Sequence, residues 1–434
     1  MRYPKMRVAT SPDTAGSEAP WTGLPVSAWI GLVYIAATPL ENVTSPIISP
    51  LQLLGLAFFG AWLLDLFSGH TRFDTPILPF VPFVVFAGWS GMTILWSWAP
   101  EASIAVTVTN AALTVSLLAI ATTFGGRIRL PVVSLAIGAT ATAAYVLVFG
   151  VYDSQLQAQI EGVDQNITAF GIAVGLSAAV YLAMTSTERL PRLVWSLCIA
   201  LDVAAILRVG SRTGLVAAIG IALVFVVFNL KSFRGFVLAL SSIGAGILVF
   251  ILLRDVGLIP PRILAFLEEP VATDNREEIT AAFLAFRSLW EGVGIGAGAD
   301  AAFLGSVAGS ARNIHSGFWA IWIHYGIVGI AIWICMLVSI IVGLSKTKET
   351  KFFLLVGVPV VAFMYSLGPM RSNLLWAVFG LALAGYTVST LGNTPGSSKN
   401  DAGDARTQPE PGLPSKQTDA NTVNATTGDG RLSG

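Results

Sequence analysis

Histidine is scarce in this 434-residue chain, which holds only His70, His315 and His324. Two of the three fall in ARNIHSGFWAIWIHYGIVGI, residues 311–330, with His315 at the lip of an apolar run and His324 inside it. Imidazole titrates near neutrality, so His315 is a candidate general base for an attacking hydroxyl. The bland alternative is a ring that caps backbone groups or faces lipid headgroups. Arginine offers a second kind of chemistry. The turn GSRTGLVA carries Arg212, four residues after Arg208. Arg276 opens REEITAAFLAFRSLWEGVGIGAG, which also holds Arg287, and Arg312 and Asn313 directly precede the His315 region. A guanidinium stays charged and grips phosphate or carboxylate with two parallel hydrogen bonds. No Asp-x-Asp pair occurs anywhere. The carboxylates Glu268, Glu269, Asp274, Glu277 and Glu278 read as a solvated loop in preference to a metal site, so neither metal nor cofactor is expected.

The elements that must position these residues are membrane helices. Hydrophobic residues make up 54% of the chain and charged residues 12%, and the mean hydropathy is +0.73. A soluble domain of this size cannot hide so much apolar surface. A zero formal net charge gives no global field for nucleic acid. Cys198 and Cys335 lie in apolar runs and fit neither a disulfide framework nor a zinc site. Crossing the hydrocarbon layer takes about 20 apolar residues. Such runs fall near 26–40, 47–67, 77–96, 102–124, 130–151, 167–185, 191–207, 213–230, 235–253, 317–344, 352–368 and 373–392. The expected fold is therefore an all-α polytopic membrane protein with about twelve transmembrane helices. Residues 1–25 form an N-terminal tail with no cleaved signal, 26–392 the membrane domain, and 393–434 a polar, disordered tail.

Basic residues orient the chain. Arg72, Arg127, Arg129, Arg189, Arg192, Lys231, Arg234, Lys346, Lys348 and Lys351 alternate into the same set of connections as Arg2, Lys5 and Arg7. The positive-inside rule makes that face, and both termini, cytoplasmic. The opposite face receives one large loop, about 254–316. It also receives Arg208, Arg212, Arg254, Arg262, Arg276, Arg287, Arg312 and Arg371, while every lysine falls on the cytoplasmic side. A general need for positive charge would accept either residue. Exclusive use of arginine points to an anionic substrate at the outer membrane surface, with snorkelling or pairing to acids as the alternative.

Three stretches in order carry a resemblance: GSRTGLVA at the start of a span, then the loop with NREEITAAFLAFRSLWEGVGIGAG, then NIHSGFWAIWIHYGIVGI. Together, over about residues 200–332, they resemble the O-antigen ligase and O-antigen polymerase superfamily of bacterial membrane glycosyltransferases. Two departures stand out. The family usually has His followed by Asn, whereas here Asn313 precedes His315 and Ser316 follows it. Glu291 stands where the family often has Pro.

The resemblance implies a GT-C-like enzyme of the bacterial cytoplasmic (inner) membrane with its site on the extracytoplasmic face. It would transfer a glycan from a polyprenyl-diphosphate carrier to an acceptor hydroxyl on a glycan, lipid or other cell-envelope component, by direct, inverting attack. In that reading His315, Arg212 and Arg276 are catalytic, and Arg208, Arg287, Arg312 and Asn313 support diphosphate or glycan binding.

Other residues have narrower readings. Asp202, an acid within a span, is expected to pair with an arginine such as Arg208. His324 is expected to pack or hydrogen-bond between helices. GVGIGAGAD has no preceding strand pattern and reads as a tight backbone, not a nucleotide loop. A polytopic transporter or a flippase of an anionic or lipid-linked substrate is the alternative function. Against the transporter, the Arg and His candidates gather at one face and the two halves show no repeat.

Overall fold

A computed structural model describes residues 24–40, 49–68, 76–152, 158–159, 164–230, 233–257, 259–268, 276–309, 314, 316–366 and 371–386. The expected C-terminal tail, and the N-terminal tail apart from Leu24 and Pro25, lie outside them, as do Arg312, Asn313 and His315. In chain order the helices are α1 (Val26–Ala37), α2 (Pro50–Phe67), α3 (Val81–Met92), α4 (Pro100–Thr123) and α5 (Arg129–Phe149). A two-residue antiparallel ladder, Val151–Tyr152 with Ala158–Gln159, comes next. The chain continues as α6 (Gln165–Thr185), α7 (Arg189–Val209), α8 (Arg212–Asn229) and α9 (Phe233–Asp255). The large loop folds as α10 (Pro261–Glu268), α11 (Arg276–Ala285) and α12 (Asp300–Ala308). Last come α13 (Gly317–Lys346), α14 (Thr350–Ser366) and α15 (Asn373–Leu383).

The protein is thus an all-α polytopic membrane protein. Eight helical stretches among the described residues are long and apolar enough to cross a bilayer: α2, α3 with its flanking 3-10 turns, α4 to α8, and α13. Helix α1 with its 3-10 extension, α14 and α15 are apolar but shorter. The outside of the bundle is hydrophobic in a way only lipid explains. On α8, Val216, Ile219, Leu223 and Val227 are all exposed and recur at helical spacing.

Helix α6 is the centre of the bundle, with every residue from Thr168 to Leu182 buried, and it packs on α5, α7, α8 and α14. Its sequence, rich in Gly, Ala and Ser, is the reason. In lipid no hydrophobic effect drives helices together, so close backbone approach through small residues must do so. A Cβ on Gly175 would collide with the Ala139 methyl of α5, and one on Gly138 would run into the Ala36 carbonyl of α1.

Helix α13 is where the fold prepares the site. Its 30 residues are interrupted at Gly326, whose φ of 65° and ψ of −164° are open essentially to glycine alone. The backbone groups freed there are taken up by the segment preceding α12. Ile295 donates its N–H to the Ile323 carbonyl at 2.9 Å, and Gly296 to that of His324 at 3.2 Å. Ile327 in turn donates to the Glu291 carbonyl at 3.0 Å. Non-helical backbone at membrane depth is tolerated when protein satisfies it in this way. A Gly326→Ala chain would carry its Cβ 2.6 Å from Val293 N in a forbidden backbone region. The backbone strain alone amounts to about 1–3 kcal/mol. Thermal unfolding in detergent is expected to show a clear loss of stability, and an unchanged midpoint would refute this account of the break.

Candidate functional site

The turn between α7 and α8 is built to hold Arg212. Gly210 takes the left-handed conformation (φ 71°) that ends α7. Ser211 caps α8 by accepting the Gly214 N–H at 3.2 Å, and its hydroxyl donates to Asn166 Oδ1 on α6 at 2.9 Å. Thr213 and Ser366, at the end of α14, share a hydrogen bond of 2.8 Å. The turn is therefore pinned from two sides, and Arg212 is the first residue of α8. Its guanidinium lies over the Phe266 ring of α10, 5.7 Å from the centroid. Its Nε is buried and has no hydrogen-bond partner among the described residues. A cation at the positive end of a helix is unfavourable by itself, and an orphaned buried donor adds to the cost. An anion bound at this point relieves both.

The glycine-rich stretch forms the other half. Gly294, Gly296 and Gly298 all have positive φ (82°, 99° and 73°), which lets the backbone fold tightly against α13, as the reading of a tight loop expected. The loop is also tied to the α3–α4 corner. Trp98 donates its N–H to the Ile295 carbonyl at 3.2 Å, and Ser103 its hydroxyl to that of Ala297 at 2.8 Å. The loop ends at Asp300, which is buried and pairs through Oδ1 with His324 Nε2. The other carboxylate oxygen accepts the Ile314 N–H at 3.1 Å. Burial by itself pushes the Asp300 carboxyl up. The His324 charge, its hydrogen bond and the Ile314 N–H outweigh that and hold the group down to about 2.

Beneath this pair lies a buried polar cluster. Asn110 of α4 donates to Tyr325 Oη and to Ser90 Oγ, each at 3.0 Å, and Trp89 Nε1 donates to the Tyr325 carbonyl at 3.0 Å. In a membrane domain such groups need one another, because lipid offers them nothing. The cluster therefore fixes how α3, α4 and α13 meet.

The other expected residues among those described stand on different elements. Arg276 is the first residue of α11, and Arg208 sits in the last turn of α7. Arg287 is already engaged: its Nη2 makes an ion pair with Glu291, and the guanidinium stacks over Trp322, 4.9 Å from the ring centroid. No contact among the described residues joins it to Arg212. Asp202 is fully buried, yet neither carboxylate oxygen makes a hydrogen bond or ion pair among the described residues. The expected pairing with Arg208 is therefore not formed. Asp300, absent from the expected site, is the residue sequence reasoning missed. One signal pointed to it: an ionisable group inside a span, His324, calls for a partner, and Asp300 closes the glycine-rich stretch that packs there. The chain matches no protein-family model and no curated protein.

Proposed function

We propose that the chain is a membrane glycosyltransferase, with a polyprenyl-diphosphate-linked glycan as donor and a hydroxyl on a glycan, lipid or cell-envelope component as acceptor. The observation that carries this is Arg212, a cation at the positive end of α8 whose buried Nε has no partner among the described residues. Such a group asks for an anion, and a diphosphate leaving group brings one that gains charge as the reaction proceeds. The acceptor oxygen attacks the anomeric carbon, and the C–O bond to the diphosphate breaks on the opposite side, inverting the centre. The diphosphate departs with the electron pair, and the hydroxyl proton goes to His315. Fixed guanidinium charge, from Arg212 with Arg276, meets the leaving oxygen in the role a divalent cation fills elsewhere. Arg208, Arg312 and Asn313 support the glycan and carrier. Arg287, held by Glu291 and Trp322, has a smaller part than its type and position in the sequence imply.

In this reading the membrane domain has about twelve spans in a bacterial inner membrane. Both termini are cytoplasmic, and the site opens on the outer side. The test is glycan analysis of a deletion strain complemented with Arg212 variants. Arg212→Gln is expected to reduce transfer by about 10²–10³-fold, and Arg212→Lys to restore only part of it, since an ammonium lacks the fork. Accumulation of unattached long chains on the carrier identifies a ligase, and single repeat units a polymerase. Normal glycan with an inserted Arg212→Gln protein would end the proposal.

A further inference from the structure

The structure brings a second arginine to the same end of the bundle. Arg371 lies between α14 and α15, five residues after Ser366, whose hydroxyl is bonded to Thr213 beside Arg212. It immediately precedes Ser372, which caps α15 by accepting the Leu375 N–H. Its guanidinium rests on the glycine-rich loop: a Cβ built on Gly298 would fall 2.9 Å from Arg371 Nη2 and 3.7 Å from its Cζ. Gly298 has a left-handed φ of 73°, which favours glycine, and its bare Cα gives the guanidinium room at this distance. The platform is firm, because the preceding Ala297 is bonded through both its carbonyl, to Ser103, and its N–H, to Thr93 Oγ1.

Arg371 itself is exposed, and among the described residues it makes no hydrogen bond or ion pair. Gly298 lies two residues before Asp300, so Arg371 stands at the Asp300–His324 end of the site. Like Arg212, it stands at the start of a helix, where the macrodipole disfavours a cation. Two such misplaced cations, each with donors unpartnered among the described residues, share one remedy.

We propose that Arg371, seated on Gly298, is an anion-binding residue of this site and takes phosphate oxygens of the lipid-diphosphate donor. This rests on the glycosyltransferase reading above. An ordinary anionic headgroup offers similar oxygens, so the test separates the two sources.

The full-length protein is placed in nanodiscs of phosphatidylcholine, and binding of farnesyl diphosphate is measured for the parent and for Arg371→Gln, Arg371→Lys and Arg212→Gln. The same proteins are then assayed for retention of phosphatidylglycerol in mixed nanodiscs. Arg371→Gln is expected to weaken farnesyl diphosphate binding about tenfold and Arg371→Lys to recover part of that. Phosphatidylglycerol retention and the unfolding midpoint should stay unchanged, since the exposed side chain makes no bonds that hold the fold. Parent-like farnesyl diphosphate affinity in Arg371→Gln overturns the inference while leaving the glycosyltransferase reading intact. So does a defect confined to phosphatidylglycerol, which would make Arg371 a headgroup contact. A parent protein that binds no farnesyl diphosphate overturns both.

Discussion

A His315→Ala chain is expected to insert and fold as the parent does and to transfer glycan about 10²–10⁴-fold more slowly, the usual contribution of a general base. In the proposed topology His315 is the one histidine of the sequence at the point where the large loop would re-enter the membrane. His324 is committed to Asp300, and the proposed topology assigns His70 to the opposite face. No other histidine can therefore take over the proton. The measurement is in vitro transfer from a lipid-linked donor with the variant and parent matched for amount inserted. Donor binding should be retained, because the base acts on the acceptor proton. A folded His315→Ala protein with parent-like transfer would remove the base from the mechanism, and equal loss of donor binding would move His315 from proton transfer to substrate holding.

The second large effect concerns stability. Asp300→Ala is expected to cost about 3–5 kcal/mol, because it leaves His324 without its buried partner and the Ile314 N–H without an acceptor. His324→Ala should cost a similar amount for the converse reason. The double variant should lose less than the sum, since the penalty for one orphaned partner is then not incurred twice. Strict additivity would show that the two side chains do not depend on one another. The pH dependence has a definite sign. The folded Asp300 carboxyl sits near 2, below its ordinary value of 3.8, so the unfolded chain binds its proton first on acidification. The stability contributed, about 2 kcal/mol, is therefore complete above about pH 5 and is lost as pH falls from there towards 2. Thermal unfolding of parent and Asp300→Ala across pH 2–7 measures it. The gap between them should narrow towards the acid end, and a constant gap would contradict the pairing.

Much of the architecture was legible because the bilayer imposes simple rules. Runs of apolar residues mark helices, and α1 to α9 and α13 to α15 fall on those runs, while α10 to α12 lie between them. The tight backbone of GVGIGAG could be read from its glycines, and its three positive φ values follow. What escaped reading depends on contacts between distant elements. The break at Gly326 lies inside an uninterrupted apolar run, YGIVGIAIW, because the donors and acceptors that satisfy it are supplied by residues 291–296. The Asp300–His324 pair joins residues 24 apart on different helices, and periodicity is silent about such meetings. Arg287 is a different lesson. Its partner Glu291 lies four residues on, a spacing that marks helical neighbours, so its engagement was within reach of the sequence. Asp202 was expected to find an arginine and instead lies beside neutral groups on the α5 side of α7, where Thr140 is its polar neighbour.

The break in α13 also bears on how the protein is made. An apolar segment enters the bilayer as a regular helix, because unsatisfied peptide groups in lipid cost several kcal/mol each. The carbonyls of Ile323 and His324 and the N–H of Ile327 must then change partners after insertion. They can do so only when the glycine segment, synthesised earlier, docks against the helix. Biogenesis thus has two stages for this helix: a straight helix first threads the membrane, and the finished bend forms when residues 291–296 close onto it. The loop completes the helix, and a chain whose loop has not docked keeps Gly326 helical and the site unassembled.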